Sequence, residues 1–148
     1  MQKYIITDLD GTLALTNNRN HFLEKEPKDW DGFYEACDTD TINLPALLVI
    51  ESLSINYGYD VIIVTGRSDL VYLKTRKWLK HYRVPFSHIF MRKHGDHTED
   101  IILKEKWLNE GILPPKEDIF LVLEDRKRVV DMWRKHGLVC FQVAEGNF

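Results

Sequence analysis

The chain has little of what marks a disulfide-stapled, low-complexity or membrane protein. Among 148 residues there are two cysteines, Cys37 and Cys140. That excludes a disulfide framework and a cysteine-rich zinc site, and both are expected as reduced, partly buried thiols. Five prolines and eight glycines are too few for a collagen-like or low-complexity chain. No apolar run approaches the roughly 20 residues that a spanning helix needs. The N-terminal MQKYIITDLDGT carries acids where a signal peptide needs a long apolar stretch, so a cytoplasmic protein without membrane attachment is expected. Excess positive charge is missing too. A formal net charge of -3 argues against a strongly basic, non-specific nucleic-acid binder, although a locally basic cleft is compatible with it.

What is present is ordinary for a globular protein: 44% hydrophobic and 29% charged residues, in a length that suits one domain, residues 1–148. Short β-rich runs alternate with helical ones. Strands are expected at Lys3–Asp8, Asp60–Thr65, His88–Met91, Ile119–Leu123 and Leu138–Val143. Helices are expected at Leu44–Tyr57, Asp69–Tyr82, Glu99–Asn109 and Arg126–His136. Such alternation implies right-handed βαβ units, hence a three-layer, Rossmann-like α/β domain around a central, mostly parallel sheet. Residues 14–43 do not fit the rhythm and read as a small flap or cap inserted after the first strand.

Ligands of open parallel sheets bind outside the carboxyl ends of the strands, and every strand end here is polar. Asp8, Asp10, Gly11 and Thr12 follow the first strand; Thr65, Gly66 and Arg67 the second; Arg92, Lys93, His94 and His97 the third; Glu124 and Asp125 the fourth. Asp8 and Asp10, two apart, are expected to face one way. Crowded carboxylates repel unless a cation sits among them, and an all-oxygen set suits Mg²⁺. Carboxylates, a metal and an anion cradle of Thr65, Arg67 and a lysine make a phosphoryl-transfer site.

The order of these motifs resembles the haloacid dehalogenase superfamily. Asp8-Leu9-Asp10-Gly11-Thr12 looks like its first motif, the strand ending in Thr65-Gly66-Arg67 its second, Lys104 its third and Glu124-Asp125 its fourth. A fuller likeness, through Cys37–Asp40, Val64–Arg67, Thr75–Trp78, Arg92, Gly95-Asp96, Lys104-Glu105, Asp125-Arg126, Met132–Arg134 and Cys140–Phe148, is to the phosphatase domain of phage polynucleotide kinase/3′-phosphatases. The kinase signature G-x-x-x-x-G-K-[ST] is not found, so no kinase activity is expected. Where the fourth motif is commonly Asp-Asp, this chain has Glu124-Asp125.

The resemblance implies a Mg²⁺-dependent phosphatase. Asp8 would be the nucleophile, and Asp10 would be general acid and base with a raised pKa. Lys104 would neutralise Asp8, and Thr65, Gly66, Arg67, Thr12 and Arg92 would hold or orient the phosphate. The metal would be bound by Asp8, Asp10 (through its carbonyl), Asp125 and, less securely for its extra methylene, Glu124. It further implies a phosphorylated nucleic-acid end as substrate and a working link to a separate kinase and ligase. A mononucleotide or other small phosphoester is the alternative, and a non-catalytic end-binding module the third reading. Trp30 and Tyr34 are open between stacking a base and forming the flap's own core. Trp78, Trp107 and Trp133 are expected in the main core, the His94/His97 pair in a loop, and the basic residues of 126–135 on a solvated helix face.

Overall fold

The structure, a computed structural model, describes residues 1–148. Five strands form one parallel sheet in the order β5-β4-β1-β6-β7, with β1 (Tyr4–Thr7) at its centre. Its neighbours are β4 (Asp60–Ser68) and β6 (Ile119–Glu124), flanked by β5 (His88–Arg92) and β7 (Cys140–Gln142).

Side chains alternate across the sheet, as the period of an extended chain requires. Ile6, Ile62, Val64 and Val122 point into one core with Leu103, Trp107, Val129, Val130 and Trp133 from α4 (Asp100–Asn109) and α5 (Lys127–Lys135). Ile5, Val61, Ile63, Leu121 and Leu123 point into the other with Leu47, Ile50, Trp78 and Leu79 from α2 (Leu44–Tyr57) and α3 (Tyr72–His81). The three tryptophans assigned to the core are buried there.

The inserted segment has a structured neck. Strand β2 (Ala14–Leu15) pairs antiparallel with β3 (Thr41–Ile42), and between them stand α1 (Trp30–Glu35) and short 3-10 turns. The Asp29 side chain caps α1 by accepting from Gly32 N.

One strand is longer than its hydrophobic run suggests. β4 continues past Thr65, and its register with β5 slips from Thr65 opposite Met91 to Ser68 opposite Arg92. Gly66 and Arg67 are left over in a bulge, which re-aims side chains at a strand end. Conversely β7 is shorter than Leu138–Val143, although Val122 N and Val143 N continue the ladder by donating to Val139 O and Glu124 O.

Candidate active site

The strand order reverses direction at β1, and the crevice at the carboxyl ends of β1 and β6 is where such sheets bind ligands. Asp8 sits there, its amide donating to Leu123 O (2.9 Å) as a last rung of the sheet. Beyond it the chain folds back tightly. Leu9 and Leu13 are buried anchors, and Leu9 O accepts from both Thr12 N and Ala14 N. Gly11 is needed twice over: its φ is +82°, and a Cβ there would stand 2.2 Å from Asp125 Oδ2.

Two electrostatic clusters share this crevice. In the first, Lys104 Nζ reaches Asp8 Oδ1 (2.9 Å), Glu124 Oε2 (2.9 Å) and Asp100 Oδ2 (3.1 Å), and the lysine is 1% exposed. Thr12 Oγ1 lies between Asp8 Oδ2 (3.2 Å) and Asp125 Oδ1 (3.3 Å). Three carboxylates thus meet one ammonium, and a fourth, that of Asp125, stands beyond Thr12. Burial opposes the charge on Lys104, but Asp100, Asp8 and Glu124 together hold it protonated well above the usual lysine range. Burial and the Glu124 charge push Asp8 up to about 8, despite Lys104. Burial and Asp8 push Asp125 to about 6, and burial raises Glu124. A site this short of positive charge fits a cation. One oxygen each from Asp8, Glu124 and Asp125 lies within 4.8 Å of the others, a hard-oxygen set compatible with a divalent metal.

In the second cluster the Asp10 carboxylate is held by arginines, not by the lysine. Its Oδ1 accepts from Arg67 Nε (2.9 Å), Arg67 Nη2 (2.6 Å) and Arg19 Nη2 (2.6 Å). Both arginines also bind Asp40, Arg19 through Nε (2.8 Å) and Nη2 (2.7 Å), Arg67 through Nη2 (3.0 Å). Burial would raise Asp10, but the guanidinium groups of Arg67 and Arg19 outweigh it and hold Asp10 below its ordinary value. This corrects the expectation of a raised pKa at Asp10. It also separates the expected pair: the Asp10 carboxylate is outside the metal-type group, so only its main-chain carbonyl is left for that role.

Two basic residues expected on phosphate are committed elsewhere. Arg67 is 1% exposed, with Nε and Nη2 on carboxylates and Nη1 on Thr75 Oγ1 (3.1 Å); its donors hold Asp10 and Asp40. Arg92 donates to Gly66 O (2.9 Å), Asp96 O and Thr98 O, tying the 93–99 loop to the β4 bulge. Thr65 is buried, with its Oγ1 accepting from Arg67 N (3.1 Å) and its own proton still to be donated. Glu124 is not a simple stand-in for an aspartate: Oε2 meets Lys104, and Oε1 accepts from Asp125 N (3.2 Å) and Arg126 N (3.3 Å), bracing the turn after β6. At Gly66 a Cβ would stand 2.6 Å from Asp100 Oδ1.

Arg19 and Asp100 were not singled out by sequence motifs, and Asp40 entered only as the end of the Cys37–Asp40 stretch, with no role given to it. Asp100 carried a usable signal, since a residue four before Lys104 on a helix shares its face. Arg19 carried none, being a lone arginine in an acid-rich segment whose partner Asp10 is brought to it by the fold. Neither cysteine competes as a nucleophile: burial raises both thiols, Cys140 to about 12.

Comparison with known proteins agrees with this geometry. The family model for the polynucleotide kinase PNKP phosphatase domain matches residues 2–148. The putative bifunctional polynucleotide kinase/RNA ligase of Autographa californica nuclear polyhedrosis virus is 30% identical over 131 residues, 88% of this chain and 17% of that protein. A chain of the Pnkp1/Rnl/Hen1 RNA repair complex is 33% identical over 100% of this chain and 44% of its own length, with a TM-score of 0.82. This chain therefore spans less than half the length of either relative. The haloacid dehalogenase-like hydrolase SP0104 from Streptococcus pneumoniae, 15% identical with a TM-score of 0.64 over 94% of this chain and 83% of its own, shares the fold. The chain belongs to the polynucleotide kinase PNKP phosphatase-domain family, a haloacid-dehalogenase-type phosphatase lineage.

Proposed function

We propose that this domain removes the 3′-phosphate from a nucleic-acid end, in Mg²⁺-dependent end healing. The observation that carries the chemistry is the placement of Asp8 at the switch point of the sheet, 2.9 Å from Lys104 and grouped with Glu124 and Asp125. Asp8, Asp125 and, through one oxygen, Glu124 are the side chains that would hold Mg²⁺, with the Asp10 carbonyl. A bound Mg²⁺ supplies charge neutralisation for the carboxylates and the phosphate oxygens.

Asp8 attacks phosphorus in line, and the bond to the 3′-oxygen breaks, its electron pair leaving with that oxygen. The leaving oxygen takes its proton from Asp10. Asp10, now ionised, removes a proton from water, which attacks the aspartyl-phosphate and releases phosphate and the Asp8 carboxylate. The arginines hold Asp10 in the form that the second half needs. The first half needs the acid, and a phosphate dianion arriving beside Asp10 raises its proton affinity. Thr65, by its free hydroxyl proton, would donate to a phosphate oxygen. Thr12 fixes Asp8 relative to Asp125.

The reading of a polynucleotide substrate and a repair setting is supported by relatives, one named as a polynucleotide kinase/RNA ligase and one a chain of an RNA repair complex. A separate kinase and ligase are the expected partners, and the cytoplasm the expected site of action. No helix is long and apolar enough to cross a membrane. Phosphate release with Mg²⁺ from a 3′-phosphorylated oligonucleotide, measured beside 3′- and 5′-mononucleotides, tests the reading. Much faster release from the oligonucleotide is expected. Equal or faster release from mononucleotides would make the domain a nucleotidase instead.

A further inference from the structure

The flap carries an aromatic ledge that the chemistry above does not use. Tyr34 donates its hydroxyl to Gly66 O (3.3 Å), one residue from Thr65. Trp30, one turn earlier on α1, lies with its ring 5.9 Å from that of Tyr34 at an interplanar angle of 30°. Trp30 is 44% exposed, whereas Trp78, Trp107 and Trp133 are buried. It is not needed to close the flap: Phe33 fills that core, stacked under the Arg19 guanidinium at 4.1 Å and 6% exposed. Phe33 meets the Trp30 ring edge-on, at 88°, which fixes the indole. The ring stays 44% exposed, with the Lys28 ammonium 6.0 Å over its face, on a flexible exposed side chain that an incoming base can displace.

Charge narrows what this ledge can hold. The flap segment is acidic on balance, with Glu24, Glu26, Asp29 and Asp31 against Lys25 and Lys28, because Arg19 is spent on Asp10 and Asp40 and Glu35 is paired with Lys74. An acidic surface repels a phosphate backbone. An exposed indole beside it attracts a neutral, flat partner, and every nucleobase offers a π-face.

We infer that Trp30, backed by Tyr34, is the stacking platform for the base of the nucleotide whose phosphate is removed, so that the flap grips its substrate by the nucleobase. The assignment rests on the polynucleotide reading above and makes Trp30 a specificity-determining residue. Stacking of this kind is worth about five- to hundredfold in affinity per base and, unlike phosphate contacts, depends little on salt.

Because Trp30 is the exposed indole among four, its emission reports on the ledge. Asp8→Asn protein with Mg²⁺ is titrated with a 3′-phosphorylated oligonucleotide carrying a fluorescent label, and binding by anisotropy is recorded beside tryptophan emission. Saturable quenching that follows binding and disappears in Asp8→Asn/Trp30→Phe supports the platform. Binding with unchanged emission overturns it and leaves the polynucleotide reading intact. No binding of the oligonucleotide, with wild-type turnover of p-nitrophenyl phosphate retained, overturns both. In kinetics, Trp30→Ala is expected to lower the ratio of kcat/KM on the oligonucleotide to that on p-nitrophenyl phosphate by roughly tenfold. The loss should come through KM, persist at raised salt, and be largely restored in Trp30→Phe. An unchanged ratio, or equal loss on both substrates, contradicts the assignment.

Discussion

Asp8 and Asp10 differ in position by two residues and in environment by almost everything else. Asp8 shares one lysine with two other acids, Asp100 and Glu124, and is pushed up to about 8. Asp10 faces two arginines and is held below its ordinary value. Environments that push two carboxyls apart divide their roles. Asp10→Asn is therefore expected to lower kcat/KM far more on a 3′-phosphorylated oligonucleotide than on p-nitrophenyl phosphate, whose leaving group departs without a proton. Equal losses would remove Asp10 from the general-acid role. Lys104→Met leaves the buried Asp8 and Glu124, and the part-buried Asp100, without their cation. Breaking such a pair costs about 3–5 kcal/mol, to be read by denaturant unfolding without Mg²⁺. At this scale the motif residues Asp8, Thr12, Lys104 and Asp125 were legible in the sequence. The direction of the Asp10 shift was not, because it depends on Arg19, a flap residue with no motif around it, and on the aim of Arg67.

That aim is set by elements. The bulge that leaves Gly66 and Arg67 out of register with β5 turns the Arg67 side chain toward Asp10 instead of toward a phosphate. The Leu9–Ala14 turn places Gly11 against Asp125. Gly11→Ala puts a Cβ where Asp125 Oδ2 stands and imposes a left-handed φ on alanine. It is expected to weaken Mg²⁺ binding by about tenfold or more in a calorimetric titration while the α/β circular-dichroism signature persists. Unaltered Mg²⁺ affinity would show that Asp125 has room to move. The strands and long helices were readable to within a few residues, since burial on both sheet faces leaves continuous apolar runs such as Asp60–Thr65. The bulge was not readable, because a register slip depends on the partner strand. The flap's α1 was not readable either: six residues, one a glycine, leave too short a periodic signal.

For the molecule as a whole, the acidic crevice links stability, pH and metal. Without metal the folded protein holds protons on Asp8 and Asp125 that the unfolded chain releases near 3.8. A raised carboxyl pKa means that stability falls as pH rises, here between about pH 4 and about pH 8. The depressed Asp10 works oppositely, but below that window. Mg²⁺ bound by these carboxylates would replace those protons, so its stabilisation would grow with pH. The rise in Tm on adding Mg²⁺ is expected to be clearly larger at pH 8 than at pH 5. An equal rise at both would place the metal away from Asp8.

The most direct measurement is phosphate release from a 3′-phosphorylated oligonucleotide by wild type and Asp8→Asn at saturating Mg²⁺, with the folded state of each checked by its Tm. The account expects release by the wild type and none above background by a fully folded Asp8→Asn. Sustained release by that variant, or none by the wild type, would contradict it.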